Sequence, residues 1–116
     1  PGLDEFFRLR SIPAGIELTL VDELRNPWGI LHGGATAVLV AEAAERVARD
    51  HHGERPPAHA GDTVLHYLRP ARVGPVTATG RVLGERGDGT VVAVTLRDVG
   101  DSGRTTAEAV VTVRPA

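Results

Sequence analysis

Cysteine is absent from the 116 residues, which excludes disulfides, thiolate metal ligands and a cysteine nucleophile. Lysine is absent too: all thirteen basic residues are arginine, so no lysine Schiff base is available. Only Phe6, Phe7, Trp28 and Tyr67 are aromatic. The hydrophobic 41% must therefore build its core from Val, Leu, Ile and Ala, which favours strands laid on a small-residue helix. No apolar run approaches the ~20 residues that cross a bilayer, and no signal-peptide pattern appears, so a cytoplasmic location is expected. A net charge of −2 argues against nucleic acid or an anionic membrane as partner. The length predicts one domain, residues 1–116.

What is present has a clear order. Residues 3–10 (LDEFFRLR) read as a short helical lead-in. Residues 15–24 read as a strand, with Ile16, Leu18 and Leu20 alternating against Glu17 and Thr19. Pro27 and Gly29 hold a loop over 25–31. A helix is expected from Gly33 or Gly34 to just before Gly53, its C-cap; Ala37, Ala41, Ala44 and Ala48 recur at helical spacing and let another surface approach closely. Residues 54–61 read as a loop, and 62–69 as a strand stopped by Pro70. Two hairpins follow, one across Asp88-Gly89 and one across 100–103. The expected class is α+β: an antiparallel sheet of about five strands with one long helix on one face.

The densest signal is Asn-Pro-Trp-Gly-Ile-Leu-His-Gly-Gly, residues 26–34, which runs straight into that helix. A glycine-rich turn at a helix start presents backbone N–H groups backed by the positive end of the helix dipole. Such a site suits an anion, or a carbonyl oxygen that becomes one during reaction. Asn26 and His32 frame it. Asn26 equally well caps its own loop before Pro27. Trp28, the one tryptophan, either lines a ligand channel or fills a subunit interface.

This order, the Asn26…Gly29…His32-Gly33-Gly34 turn and the later Tyr67-Leu68-Arg69-Pro70-Ala71 resemble the hotdog-fold PaaI-type acyl-CoA thioesterases. The resemblance implies a sheet wrapped around a central helix and hydrolysis of an acyl-coenzyme A thioester. The Gly33 N–H would point at the thioester carbonyl, with Asn26 and His32 shaping the site beside Gly34. An acidic residue eight positions after Gly33 would act as nucleophile or general base. Sites would lie between subunits of a homodimer or homotetramer, with no metal and no cofactor beyond the substrate's own coenzyme A.

Ala41 stands at that acidic position, and the carboxylate is displaced to Glu42, about 100° around the helix. Glu42 is the candidate base. It also reads as half of a surface ion pair, since Glu42–Arg46 and Glu45–Arg49 are both favourable i,i+4 pairs. A Ser or Thr that orients water in some family members is here Ala60, and neighbouring His59 is a second candidate base. Arg69 and Arg72 flank the Pro70 turn and are candidates for the coenzyme A phosphates. With Ala41 and Ala60 both departing from the pattern, a non-catalytic acyl-CoA or acyl-carrier binding protein is the alternative. The motifs of hotdog dehydratases are absent.

Overall fold

The computed structural model describes residues 9–19, 33–53 and 58–115. Within them run β1 (Leu9–Ile12), β2 (Gly15–Leu18), α1 (Gly33–His51), β3 (Ala58–Tyr67), β4 (Val76–Arg86), β5 (Gly89–Asp98) and β6 (Arg104–Pro115). All six strands join one antiparallel sheet in the order β1-β2-β4-β5-β6-β3. Period-2 patterning in β5 and β6 buries Val92, Val94, Leu96, Ala107, Ala109, Val111 and Val113 on one face. Leu39, Val40, Ala43, Ala44 and Ala48 of α1, spaced to share one side of the helix, fill that face. Each fully buried Val or Leu contributes about 1.5–3 kcal/mol. One helix cupped by one antiparallel sheet is the hotdog arrangement.

The helix lies along the strands. Beside Glu42 sits Ile16, which pairs with Ala78, whereas a Cβ on Gly80 would come 3.0 Å from Val47 and 3.2 Å from Val92. At the C-terminus His52 Nε2 is 2.9 Å from Thr90 Oγ1, and His51 Nε2 is 3.6 Å from Glu85 Oε1. Going back from His52 to Glu42 therefore runs toward the end of β5 and the start of β4. The N-terminus of α1 accordingly points to the end of the sheet where β4 begins and β5 ends. Gly53 stops the helix at φ +68, the left-handed cap expected of it.

Four expectations need correction. Leu9 and Arg10 are not helical but open β1, because Leu9↔Leu18 and Arg10↔Glu17 pair across to β2 and Arg10 Nη2 donates to Glu17 Oε1 at 2.7 Å. The rest of that lead-in, residues 3–8, lies outside the described residues, as do 20–24 of the expected strand, the 25–31 loop and 54–57. Residues 58–61 are not loop but the start of β3, held by Ala58↔Pro115, His59↔Arg114 and Ala60↔Val113. The first hairpin turns at Gly87-Asp88, one residue early, because Gly87 supplies the positive φ (+61) at the first loop position and Arg86 pairs with Gly89. With β1, the sheet has six strands among the described residues rather than about five.

Gly15 crosses β4 so closely that any Cβ would collide with the Ala78 carbonyl and Thr79 Cα. Backbone must shift to admit one. Gly15→Ala is expected to lower the free energy of urea unfolding by at least the ~1–3 kcal/mol of an overpacked core.

Candidate functional site

Gly33 is the first residue of a 19-residue helix whose first turn carries no acidic side chain, while its last turn carries Arg49 and His51. The first-turn N–H groups of a helix have no intrahelical acceptor, and nothing acidic from α1 itself neutralises the dipole there. An oxyanion-binding amide at Gly33 is thus electrostatically sound. Asn26, Trp28 and His32 lie outside the described residues.

The helix carboxylates separate to opposite sides. Glu42 faces β1 and β2, where with Arg10, Ser11, Arg46 and Arg49 it lines a cleft of about 300 Å³ floored by Leu9 and Ile16. Arg46 donates from Nη1 to Ser11 Oγ in the same region. Glu45 turns the other way, to β3: its Oε2 accepts the Ala60 N–H at 2.8 Å. The expected Glu45–Arg49 pair does not form, because Glu45 is committed to Ala60 and Arg49 to the cleft. Glu42 follows Gly33 by nine residues, about 13.5 Å along the axis, and Ala41 by about 12 Å. Neither position brings a side chain to the Gly33 amide of the same chain.

The remaining candidates lie on and beyond β3. His59 is exposed near the strand's start, next to Ala60. Arg69 and Arg72 are exposed in the segment that follows the strand's other end, toward which Gly33 points. That segment is anchored at both sides. Leu68 and Arg69 donate their N–H groups to Thr106 O, and then the buried Asp98 carboxylate accepts from Arg72 N (2.8 Å), Val73 N (3.0 Å) and Gly74 N (2.7 Å). Burial alone would raise the Asp98 pKa; the N–H groups of Val73, Arg72, Gly74 and Asp101 outweigh it and hold the carboxyl below its ordinary 3.8. Gly100 is close enough that a Cβ would meet Gly74 O and Val73.

Two residues were not read as tying elements together from the sequence. Glu45 carries a usable signal, four residues after Ala41 and so on the same helix face. Asp98 carries none, since its partners are backbone amides about 25 residues upstream.

Residues 29–105, well over half of the chain, match the sequence model of the thioesterase superfamily. A conserved protein of Pseudomonas aeruginosa superposes with a TM-score of 0.87 at 24% identity, covering 100% of this chain and 94% of that one. A Bacillus halodurans protein crystallised with CoA gives 0.84 at 21%, covering 97% and 74%. Zebrafish thioesterase superfamily member 2 gives 0.76 at 23%, covering 99% and 86%. At these identities the likeness establishes the fold. No curated protein sequence matches significantly.

Asp98→Asn places an amide donor among three N–H donors. It is expected to cost about 1.5–3 kcal/mol in urea unfolding at pH 7, the range for hydrogen bonds to a charged group. Because the folded carboxyl titrates below 3.8, its stabilisation is complete above that value and is lost as pH falls through the lower, folded pKa. The gap between parent and Asp98→Asn should therefore narrow only below about pH 3.8.

Proposed function

The chain belongs to the thioesterase superfamily, and from that premise we propose that it hydrolyses an acyl-coenzyme A thioester in the cytoplasm, in the manner of PaaI-type enzymes. The observation that carries this reading is Gly33 at the start of a long helix with no carboxylate in its first turn. In this account the thioester oxygen accepts the Gly33 N–H, Gly34 keeps the turn tight, and Asn26 and His32 complete the polar rim. One such donor is worth about 10²–10³ in rate. Trp28 borders the acyl or pantetheine channel. Arg69 and Arg72, on the loop that Asp98 clamps, meet the coenzyme A phosphates, and His59, at the other end of β3, reaches that site only from a second copy. No metal takes part.

A second subunit belongs to the proposal. Among the described residues β3 pairs only with β6, and its far side is a ten-residue edge on which Val64 is 58% and Tyr67 61% exposed, with Leu68 just beyond at 57%. A long strand edge with exposed apolar side chains at one end is a template for another strand. Two copies pairing β3 to β3 about a two-fold axis form an isologous homodimer, which can pair again into a tetramer. The helix positions 41 and 42, too far from Gly33 within one chain, favour a site shared between copies.

One observation favours a second reading. Ala41 and Ala60 place methyl groups where the family's pattern has an acid and a hydroxyl, which suits a protein that binds acyl-CoA or an acyl carrier without cleaving it.

Release of free thiol from a panel of acyl-CoAs tests these readings together. Turnover is expected, at a modest rate. Binding without turnover on any substrate would favour the binding protein, and failure to bind would remove both. By light scattering the mass should be at least twice the 12.2 kDa of one chain, and Val64→Lys on the β3 edge should lower it to one chain with loss of turnover.

A further inference from the structure

We propose that the cleft between α1 and the β1–β2 hairpin is a binding site in its own right, apart from the thioester site, for a small amphipathic carboxylate. Arg46 and Arg49 grip the anion, and its apolar tail lies on Leu9 and Ile16.

The two walls of the cleft follow from two periodicities. Leu9↔Leu18 and Ser11↔Ile16 are directly opposed pairs, and residues so paired share a face of the sheet. Leu18 and Ile16 are buried in the core under the helix, so Leu9 and Ser11 face α1 as well. Across from them Glu42, Arg46 and Arg49 follow one another at spacings of four and three, which keeps them on one side of the helix. With Arg10 at the rim they enclose about 300 Å³, the low end of the ~300–1,000 Å³ usual for small-molecule sites.

The charges in this lining do not balance. Arg10 is taken by Glu17, Nη2 to Oε1 at 2.7 Å. Arg46 donates to the neutral Ser11 hydroxyl, and Arg49 meets no hydrogen-bond or ion-pair partner among the described residues. Glu42 supplies the one negative charge of the described lining. Three arginines against Glu42 and Glu17 leave one positive charge over. Both helix arginines are half-buried, where a charge without a counter-ion is costly. A single carboxylate removes the imbalance. Its two oxygens match the planar fork of a guanidinium, and Ser11 already holds the fork of Arg46 in place.

The same lining selects against other anions. Glu42 repels a second negative charge, which disfavours a phosphate dianion and the several charges of coenzyme A. No aromatic side chain is among the described lining residues to stack on a base, so a nucleotide fits poorly. Leu9, packed against the core, and Ile16 favour a short hydrocarbon tail. The thioester site is elsewhere. Arg46 and Arg49 follow Gly33 by thirteen and sixteen residues, about 20 and 24 Å along the axis.

Octanoate, its neutral amide and inorganic phosphate are the probes, followed through the arginine Nε–H and backbone amide resonances of isotope-labelled protein. Octanoate should bind saturably, shift Arg46 and Arg49 and leave the Gly33 amide in place, with octanamide and phosphate each at least about tenfold weaker. Arg49→Gln and, separately, Arg46→Gln should fold as the parent does by circular dichroism and weaken octanoate about ten- to a hundredfold. Glu42→Gln removes the repelling charge and should tighten octanoate about two- to fivefold. Absence of saturable binding, octanamide binding as tightly as octanoate, or undiminished binding in both folded arginine variants overturns the site. So do shifts confined to the Gly33 amide, which would put the acid at the thioester site instead. The hydrolase reading stands or falls separately, on thiol release.

Discussion

The helix can lie along the sheet only because both surfaces are nearly bare where they touch. Ala43, Ala44 and Ala48 are buried against strands that themselves offer Gly80, Ala78, Val92 and Val94. Small residues bring the axis close, and branched residues from β5 and β6 fill the flanks at core density. Everything functional inherits its position from that contact. It sends the N-terminus of α1, with Gly33, to one end of the sheet and holds the C-terminus at the other, against Thr90 and Glu85. A helix so seated cannot rotate by the 100° that would exchange Glu42 for Ala41 without driving charged residues into the core.

Polar groups complete the arrangement at the points where the core is thin. Asp98 gathers three successive amides and so carries the loop with Arg69 and Arg72 on the end of β5. Glu45 ties the middle of α1 to the first residues of β3. The two carboxylates do opposite things electrostatically. Asp98 is saturated and shielded, a structural anion, whereas Glu45 engages a single backbone N–H, that of Ala60.

Much of this was legible from the chain. The helix bounds followed from Gly33 and Gly53, and of the expected alanine stripe Ala44 and Ala48 are buried. The turn at Gly87-Asp88 was displaced by one residue because Asp88 has glycine on both sides, and only the fold decides which takes the positive φ. Residues 58–61 resemble a loop by composition; pairing with the last residues of β6 overrides that. Leu9 and Arg10 became a strand for the same reason. In the site, the i,i+4 rule assigned Glu45 to Arg49, but a backbone N–H from a strand fifteen residues away was the better donor. Local spacing records what a helix can do alone. It carries nothing about which strand edge will lie alongside.

The central claim is that the thioester carbonyl is held at the start of α1. It can be read from the backbone amide resonance of Gly33 during titration with an acyl-CoA analogue in which methylene replaces the thioester sulfur and the carbonyl is retained. A saturable downfield shift of the Gly33 amide, larger than that caused by free coenzyme A, is the expected result. Saturable binding that leaves Gly33 unmoved and perturbs the Arg10–Arg46–Arg49 cleft instead would contradict it.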